Sequence, residues 1–262
     1  MRNNTIDNGA PFDWGRTSED YAKYRDIYPP TFYAKLAELS IGVKGQRALD
    51  LGTGTGVLPR NMYRYGASWT GMDISENQIA YAKKLTEEAG MDISYLVSPA
   101  EEADFPDGYF DVITACQCFM YFNKGILLPK IHKTIKQGGH FCVLFMAWLP
   151  EESDIARASE ELVLKYNPSW TGGGMTRYSL EVPYWCGDMF RPAHMLTYDL
   201  PVTFTRESWH GRMKACRGIG ASTLSRSGIA AWEQEHRAFL QTVPEKFDIL
   251  HYVTILDLTK MP

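Results

Sequence analysis

The chain has 262 residues, of which 45% are hydrophobic and 22% charged, with a net charge of −4. That length buries one large core and at most a smaller appended region, in a composition ordinary for a soluble globular protein. The acidic balance argues against nucleic-acid binding by phosphate neutralisation, and no apolar run approaches membrane-spanning length.

The polar start, Met1 to Gly15, lacks the apolar centre of a signal peptide. From about residue 46, short apolar runs alternate with amphipathic stretches. Arg47 to Leu51 reads as a strand ending in glycines, and Asn61 and Met62 sit in a helix that stops near Gly66. Ala67 to Met72 is a second strand ending at Asp73. Ser75 opens a helix with a capping-box pattern, since Gln78 follows three residues on. Ile79, Ala82 and Leu85 share one face of it, and Gly90 ends it. Asp92 to Val97 is a third strand, and Tyr109 to Ala115 a fourth after the turn Pro106-Asp107-Gly108. Leu127, Ile131 and Ile135 mark a helix ended by Gly138-Gly139. His140 to Met146, nearly all apolar, reads as a fifth strand buried on both faces. Such alternation predicts an α/β fold with a mainly parallel sheet.

After Trp148 the rhythm changes. A helix from Ile155 to Tyr166 precedes a loop rich in Gly, Pro and aromatics. Strand signals return at Met195 to Phe204 and again at Leu250 to Leu258. Between them lie a helix after Thr205 and one from Ser227, with Ile229, Trp232, His236 and Phe239 inward. Cys116, Cys118, Cys142, Cys186 and Cys216 make an odd count without paired spacing, which suits reduced thiols in the cytoplasm. With one residue between them and no histidine cluster nearby, Cys116 and Cys118 are poorly spaced for zinc, so no metal site is expected.

The first strand runs through Asp50 into Gly52-Thr53-Gly54-Thr55-Gly56. Glycines admit positive φ and let a ligand approach the backbone, and the following helix offers free N–H groups. In the dinucleotide fingerprint G-x-G-x-x-G the third glycine would fall at residue 57, which is Val57. The early glycine, Gly56, instead matches acidic-x-G-x-G-x-G, a pattern for S-adenosylmethionine. Asp73, ending the second strand, is placed to accept from ribose hydroxyls.

Residues 46 to 147 resemble the class I methyltransferases, in the small-molecule branch that includes the ubiquinone and menaquinone biosynthesis enzymes. The likeness rests on Leu49 to Gly56, on Gly71-Met72-Asp73-Ile74-Ser75, on Phe105 to Ile113 and on Lys136-Gln137-Gly138-Gly139. It implies a Rossmann-like seven-stranded, mainly parallel sheet with helices on both faces and a reversed final hairpin. It also implies S-adenosylmethionine as cofactor and a small-molecule methyl acceptor, without nucleic-acid or membrane partners, in a monomer or homodimer. Gly52, Thr53 and Gly54 would meet the methionine moiety, Asp73 the ribose and Ile74 the adenine face. Ala100 and Glu101 would reach the adenine edge, and Cys116 and Gln117 would floor the sulfonium. Asp50 and Gln78 complete the cofactor set. Pro99 departs from the family, which has Asp there, so the adenine contact passes to Glu101 or to backbone.

Asp20 to Asp26, before Tyr28-Pro29-Pro30, resembles the helix that covers the cofactor in this branch. By that likeness Tyr21 and Arg25 meet the methionine carboxylate, which a guanidinium binds as a fork. A surface helix with half-buried tyrosines is the other reading. The blocks expected are a helical cover (1–45), the cofactor core (46–148), an insertion over the ligand end (149–192) and the rest of the sheet (193–262). Within the insertion, Trp170 to Trp185 suits either a mobile lid or a fixed aromatic plug. Methyl transfer needs a base only when the acceptor atom arrives protonated. Among six histidines, His194 and His210 are the candidates for that role, with Tyr121 and Met120 facing the acceptor. The run Gly211 to Gly218 is basic, so Arg212 and Arg217 form either a clamp for an acidic substrate or a solvated helix face. A non-catalytic S-adenosylmethionine binder is the alternative reading of the whole.

Overall fold

A computed structural model describes residues 6–262, so the first five residues of the expected N-terminal cover lie outside the described residues. The strands are β1 (Arg47–Leu51), β2 (Ser68–Asp73), β3 (Ser94–Val97), β4 (Phe110–Cys116), β5 (Ile135–Trp148), β6 (Phe190–Thr205) and β7 (Lys246–Lys260). The helices are α1 (Ser18–Tyr24), α2 (Pro30–Glu38), α3 (Val57–Met62), α4 (Glu76–Glu88), α5 (Lys124–Thr134), α6 (Asp154–Tyr166), α7 (Arg206–Lys214) and α8 (Arg226–Leu240). One sheet holds all seven strands in the order β3-β2-β1-β4-β5-β7-β6.

The chain divides into two compact units. The first comprises Met1–Ile27, Ala147–Tyr178 and Asp199–Tyr252. The second comprises Tyr28–Met146, Ser179–Tyr198 and Val253–Pro262.

In the second unit β1 pairs in parallel with β2 and β4, β2 with β3, and β4 with β5. Four of the five β1 residues are buried, as expected of a parallel strand covered on both faces. β7 runs the other way. Lys260 reaches Ile135 while Asp257 meets His140 and Cys142, so β7 descends as β5 ascends. Met261 meets Met189 and Asp257 meets His194, so β6 is antiparallel to β7 too. The sheet is therefore mostly parallel with a reversed final hairpin.

Local chemistry sets most element ends. Ser75 caps α4, its Oγ accepting the Gln78 N–H. Gly56, at positive φ, starts α3. Two expectations need correction. α5 stops at Thr134 rather than at Gly138-Gly139, because Ile135 is fully buried and pairs with Phe110; a β-branched side chain suits that strand position. β6 likewise begins at Phe190, five residues before the apolar alternation, and the residues from Arg191 to Asp199 are all exposed or half-buried, leaving no apolar period to read.

In the first unit α7 packs on α1 and α8, and α6 on α8, around the fully buried Trp209 and Trp232. The basic run is not a solvated face. Arg212 is buried with its guanidinium 4.8 Å from the Trp148 ring, and Arg217 forms an ion pair with Asp7 at 2.6 Å. Arg217 is thus committed to its own unit, and no Arg212–Arg217 clamp forms. Both ends of the aromatic segment are packed within their own units. Trp170 is buried, and the Trp185 ring lies 4.9 Å from Phe119.

Candidate functional site

Open parallel sheets take ligands beyond the carboxyl ends of their strands, where strand order reverses. Here it reverses between β1 and β4. Leu51 pairs with Ala115 across that gap, so the residues following each line the crevice.

Gly52, Gly54 and Gly56 have φ of 59°, 56° and 75°, the left-handed region that other residues enter at a cost. Space is also closed at Gly52, where a Cβ would lie 2.9 Å from Cys118 Sγ. The turn is held from below by Thr53 N–H donating to Met72 O at 2.8 Å.

Asp73 ties this turn to the next helix. Its Oδ2 accepts the Gly54 N–H and its Oδ1 the Ser75 N–H, each at 2.9 Å. Burial raises the carboxyl's pKa and those donors lower it, with burial prevailing. A carboxylate offers about four lone-pair sites, and the backbone N–H groups of Ser75, Gly54 and Ile74 act on this one, so some acceptor capacity remains for a hydroxyl. Asp50 is enclosed, taking a 2.7 Å hydrogen bond from Thr114 Oγ1. Burial, opposed by that bond, pushes it up to about 7.

Ile74 is 53% exposed and Val97, paired with Asp73, is also open, giving an apolar platform for a flat ring. Ala100 is buried. Glu101 has one oxygen engaged, Oε1 accepting the Asn123 N–H at 2.8 Å at the start of α5. Gln78 lies buried in α4. At the end of β4, Cys116 Sγ donates to the Tyr28 hydroxyl at 3.6 Å. Gln117 has φ 64° and donates from Nε2 to Met146 O; a glutamine held there is backbone strain of the kind found at functional sites. Cys118 donates to Leu51 O at 3.0 Å, and burial raises its thiol pKa well above the usual value, keeping it protonated. Tyr121 is half-buried against the core, while Met120 beside it is open.

Tyr21 and Arg25 belong to the first unit. The Arg25 guanidinium stacks 4.7 Å from the Tyr21 ring and 5.7 Å from Trp14.

Of the two histidines expected as bases, His194 lies away from the turn within its own unit. His194 donates from Nδ1 to Asp257 Oδ2 at 2.9 Å, beside His140 on Oδ1 at 2.8 Å. His140 pairs with Val112, and Val112 with Ala48, so this cluster lies level with the start of β1. His194 is also on the far edge strand, four strands from the turn. His210 is buried inside the first unit, 2.9 Å from His236 Nδ1 and stacked on Trp232. Burial, with Arg237, lowers it to about 4, so it is neutral. It joins a network with Ser159 and Trp209 rather than facing a ligand. Tyr28, quoted with the cofactor-covering likeness but given no role of its own, is a fixed extended residue before a helix. Thr114 gave no signal, since only the β1–β4 register brings it to Asp50.

The turn with its three positive-φ glycines, the acid at its side and the exposed apolar side chains beyond it fit an adenosine carrying a cationic tail. Among the described residues no cluster of three or more His, Cys, Asp or Glu could hold a metal, and no helix is long and apolar enough to cross a membrane. A family model described as "Methyltransferase domain" matches residues 49–143. The chain is 29% identical over 160 residues to a ubiquinone biosynthesis O-methyltransferase of Pseudomonas aeruginosa, covering 60% of this chain and 68% of that one. It is 30% identical over 162 residues to the protein of that name from Marinobacter nauticus, covering 60% and 67%. Among solved structures, a candidate methyltransferase of Bacillus halodurans superposes with a TM-score of 0.56 at 16% identity, over 88% of this chain and 100% of that one. The YcgJ protein of Bacillus subtilis gives 0.53 at 18%, over 88% and 99%.

Proposed function

Because this chain belongs to the class I S-adenosylmethionine-dependent methyltransferases and transfers a methyl group from that cofactor to a small molecule, we propose that the Gly52–Gly56 turn and Asp73 are its cofactor cradle. The observation that carries the assignment is the grip of Asp73 on the Gly54 and Ser75 N–H groups. One carboxylate shapes the turn and keeps acceptor capacity for the ribose. Gly52, Thr53 and Gly54 hold the methionine end by backbone, and Ile74 supports the adenine, with the free oxygen of Glu101 at its edge. Asp50 contributes charge rather than contact. Tyr21 and Arg25 form a stacked pair within the first unit.

When bound, the cofactor supplies a methyl group activated on a sulfonium. The chain's own task is then to align the acceptor opposite that bond and to exclude water. Cys116 and Gln117 floor the position, and Tyr121 and Met120 face the acceptor. These relatives are named O-methyltransferases, so a hydroxyl oxygen is the acceptor atom we expect. Neither His194 nor His210 is assigned as its base. Reduced cysteines suit the cytoplasm, the net charge of −4 disfavours nucleic acid, and we expect a monomer or homodimer. The test is conversion of S-adenosylmethionine to S-adenosylhomocysteine with a panel of hydroxylated small molecules. Turnover that Asp73→Ala abolishes supports the assignment; undiminished turnover in that variant overturns it.

A further inference from the structure

Tyr95 lies on β3 at the edge of the sheet, two strands from the one that feeds the glycine turn, yet its ring reaches that turn. Register explains how. Asp50 pairs with Gly71 and Gly71 with Tyr95, so the three form one row with their side-chain positions on one face. Gly71 leaves a gap in the row. A Cβ there would lie 2.8 Å from Tyr95 Cε1 and 2.9 Å from both Cγ2 and Oγ1 of Thr53, well inside van der Waals contact. The phenol ring and the Thr53 side chain of the turn therefore both lean into the space that Gly71 leaves.

The far end of the ring is fixed as well. The Tyr95 and Thr86 hydroxyls share a 2.8 Å hydrogen bond, and Thr86 is buried in α4. The Tyr95 oxygen is thereby set against Gly56, the residue that opens α3 at positive φ. A Cβ on Gly56 would overlap that oxygen and lie 3.1 Å from Tyr95 Cζ and 3.3 Å from Ala82 Cβ. Gly52, at the other end of the turn, is closed by a different neighbour, Cys118. The two ends rest on separate supports, and at the Gly56 end that support is Tyr95.

We infer that Tyr95 is a positioning residue for the cofactor turn, its ring filling the space left by Gly56 and Gly71 and holding the backbone from Thr53 to Gly56 in the shape that receives the ligand. Gly56 and Gly71 are then glycines because of this ring, and Tyr95 acts without touching the ligand. This rests on the cofactor reading of the turn, and the test separates the two.

Titration calorimetry with S-adenosylhomocysteine, paired with urea unfolding, is run on the full chain as wild type, Tyr95→Phe, Gly56→Ala and the double variant. Alanine at positive φ is strained in either background, so that cost cancels. The conflict with the hydroxyl oxygen exists only where Tyr95 is intact. The affinity lost through Gly56→Ala should be at least about three-fold smaller beside Tyr95→Phe, a coupling expected of residues in contact. Folding of the Gly56→Ala protein only beside Tyr95→Phe supports the inference too, and equal losses in the two backgrounds overturn it. If Gly56→Ala folds in neither background, Tyr95→Leu decides. It should bind about ten-fold more weakly than Tyr95→Phe; equal affinities, with only the urea midpoint lowered, overturn the inference and make the ring a packing residue. In these last cases the cofactor reading stands, whereas wild-type protein that binds no S-adenosylhomocysteine overturns both.

Discussion

Replacing Asp73 by Asn separates the two roles assigned to its carboxylate. Each oxygen now accepts one backbone N–H at 2.9 Å. An amide keeps one acceptor and turns a donor toward the other N–H, so one charge-assisted bond is lost, at about 1.5–3 kcal/mol. Offsetting this, burial outweighs the hydrogen bonds at Asp73 and raises its pKa, so a neutral side chain is relieved of part of its desolvation. The net loss of unliganded stability should be about 1 kcal/mol. Cofactor binding has no such relief. The ribose would lose its charged acceptor, and a loss of about 3 kcal/mol is roughly a hundred-fold in affinity. Urea unfolding without ligand gives the first quantity, and titration calorimetry with S-adenosylhomocysteine the second. A variant that loses several kcal/mol of stability yet binds with wild-type affinity when folded would refute the reasoning and make Asp73 a structural residue.

Asp50, with its pKa raised to about 7 by burial, binds its proton more tightly in the folded state than in the unfolded one. Stability should therefore fall as pH rises from about 4 to about 7, and Asp50→Asn should flatten that slope in thermal melts. Asp257 behaves in the opposite sense. Burial opposes its ionisation, but the hydrogen bonds from His140 and His194 prevail and lower its pKa, while the bond to Asp257 raises that of His140. The Asp257 contribution is lost as pH falls through the carboxyl's folded value, and the His140 contribution as pH rises through the imidazole's. Their joint stabilisation should peak between about pH 4 and 6.5. Asp257→Asn should cost about 3 kcal/mol there by urea unfolding. His194→Ala should leave S-adenosylhomocysteine affinity within about two-fold, since a group four strands from the turn exerts little direct effect; a large loss would return His194 to the site.

The glycine turn and Asp73 were legible because their chemistry is local. Three positive-φ positions two residues apart strongly favour glycines, and a strand-end acid one βαβ unit later lands beside them by topology. The alternation of strands and helices was legible for the same reason. The histidines were not, because their roles depend on which strands become neighbours. Asp257 draws His194 and His140 together only once β7 is inserted between β5 and β6. Arg212 and Arg217 looked like one basic face, yet a buried tryptophan and a distant aspartate divide them. The end of α5 was misread since helix and strand compete for the same apolar residues around Ile135, and pairing with Phe110 decides between them.

The account stands most directly on what the glycine turn binds. Titration calorimetry of the full wild-type chain with S-adenosylhomocysteine, with NAD as the competing dinucleotide, should give micromolar affinity for the first and no heat for the second. Binding of NAD without binding of S-adenosylhomocysteine would contradict it.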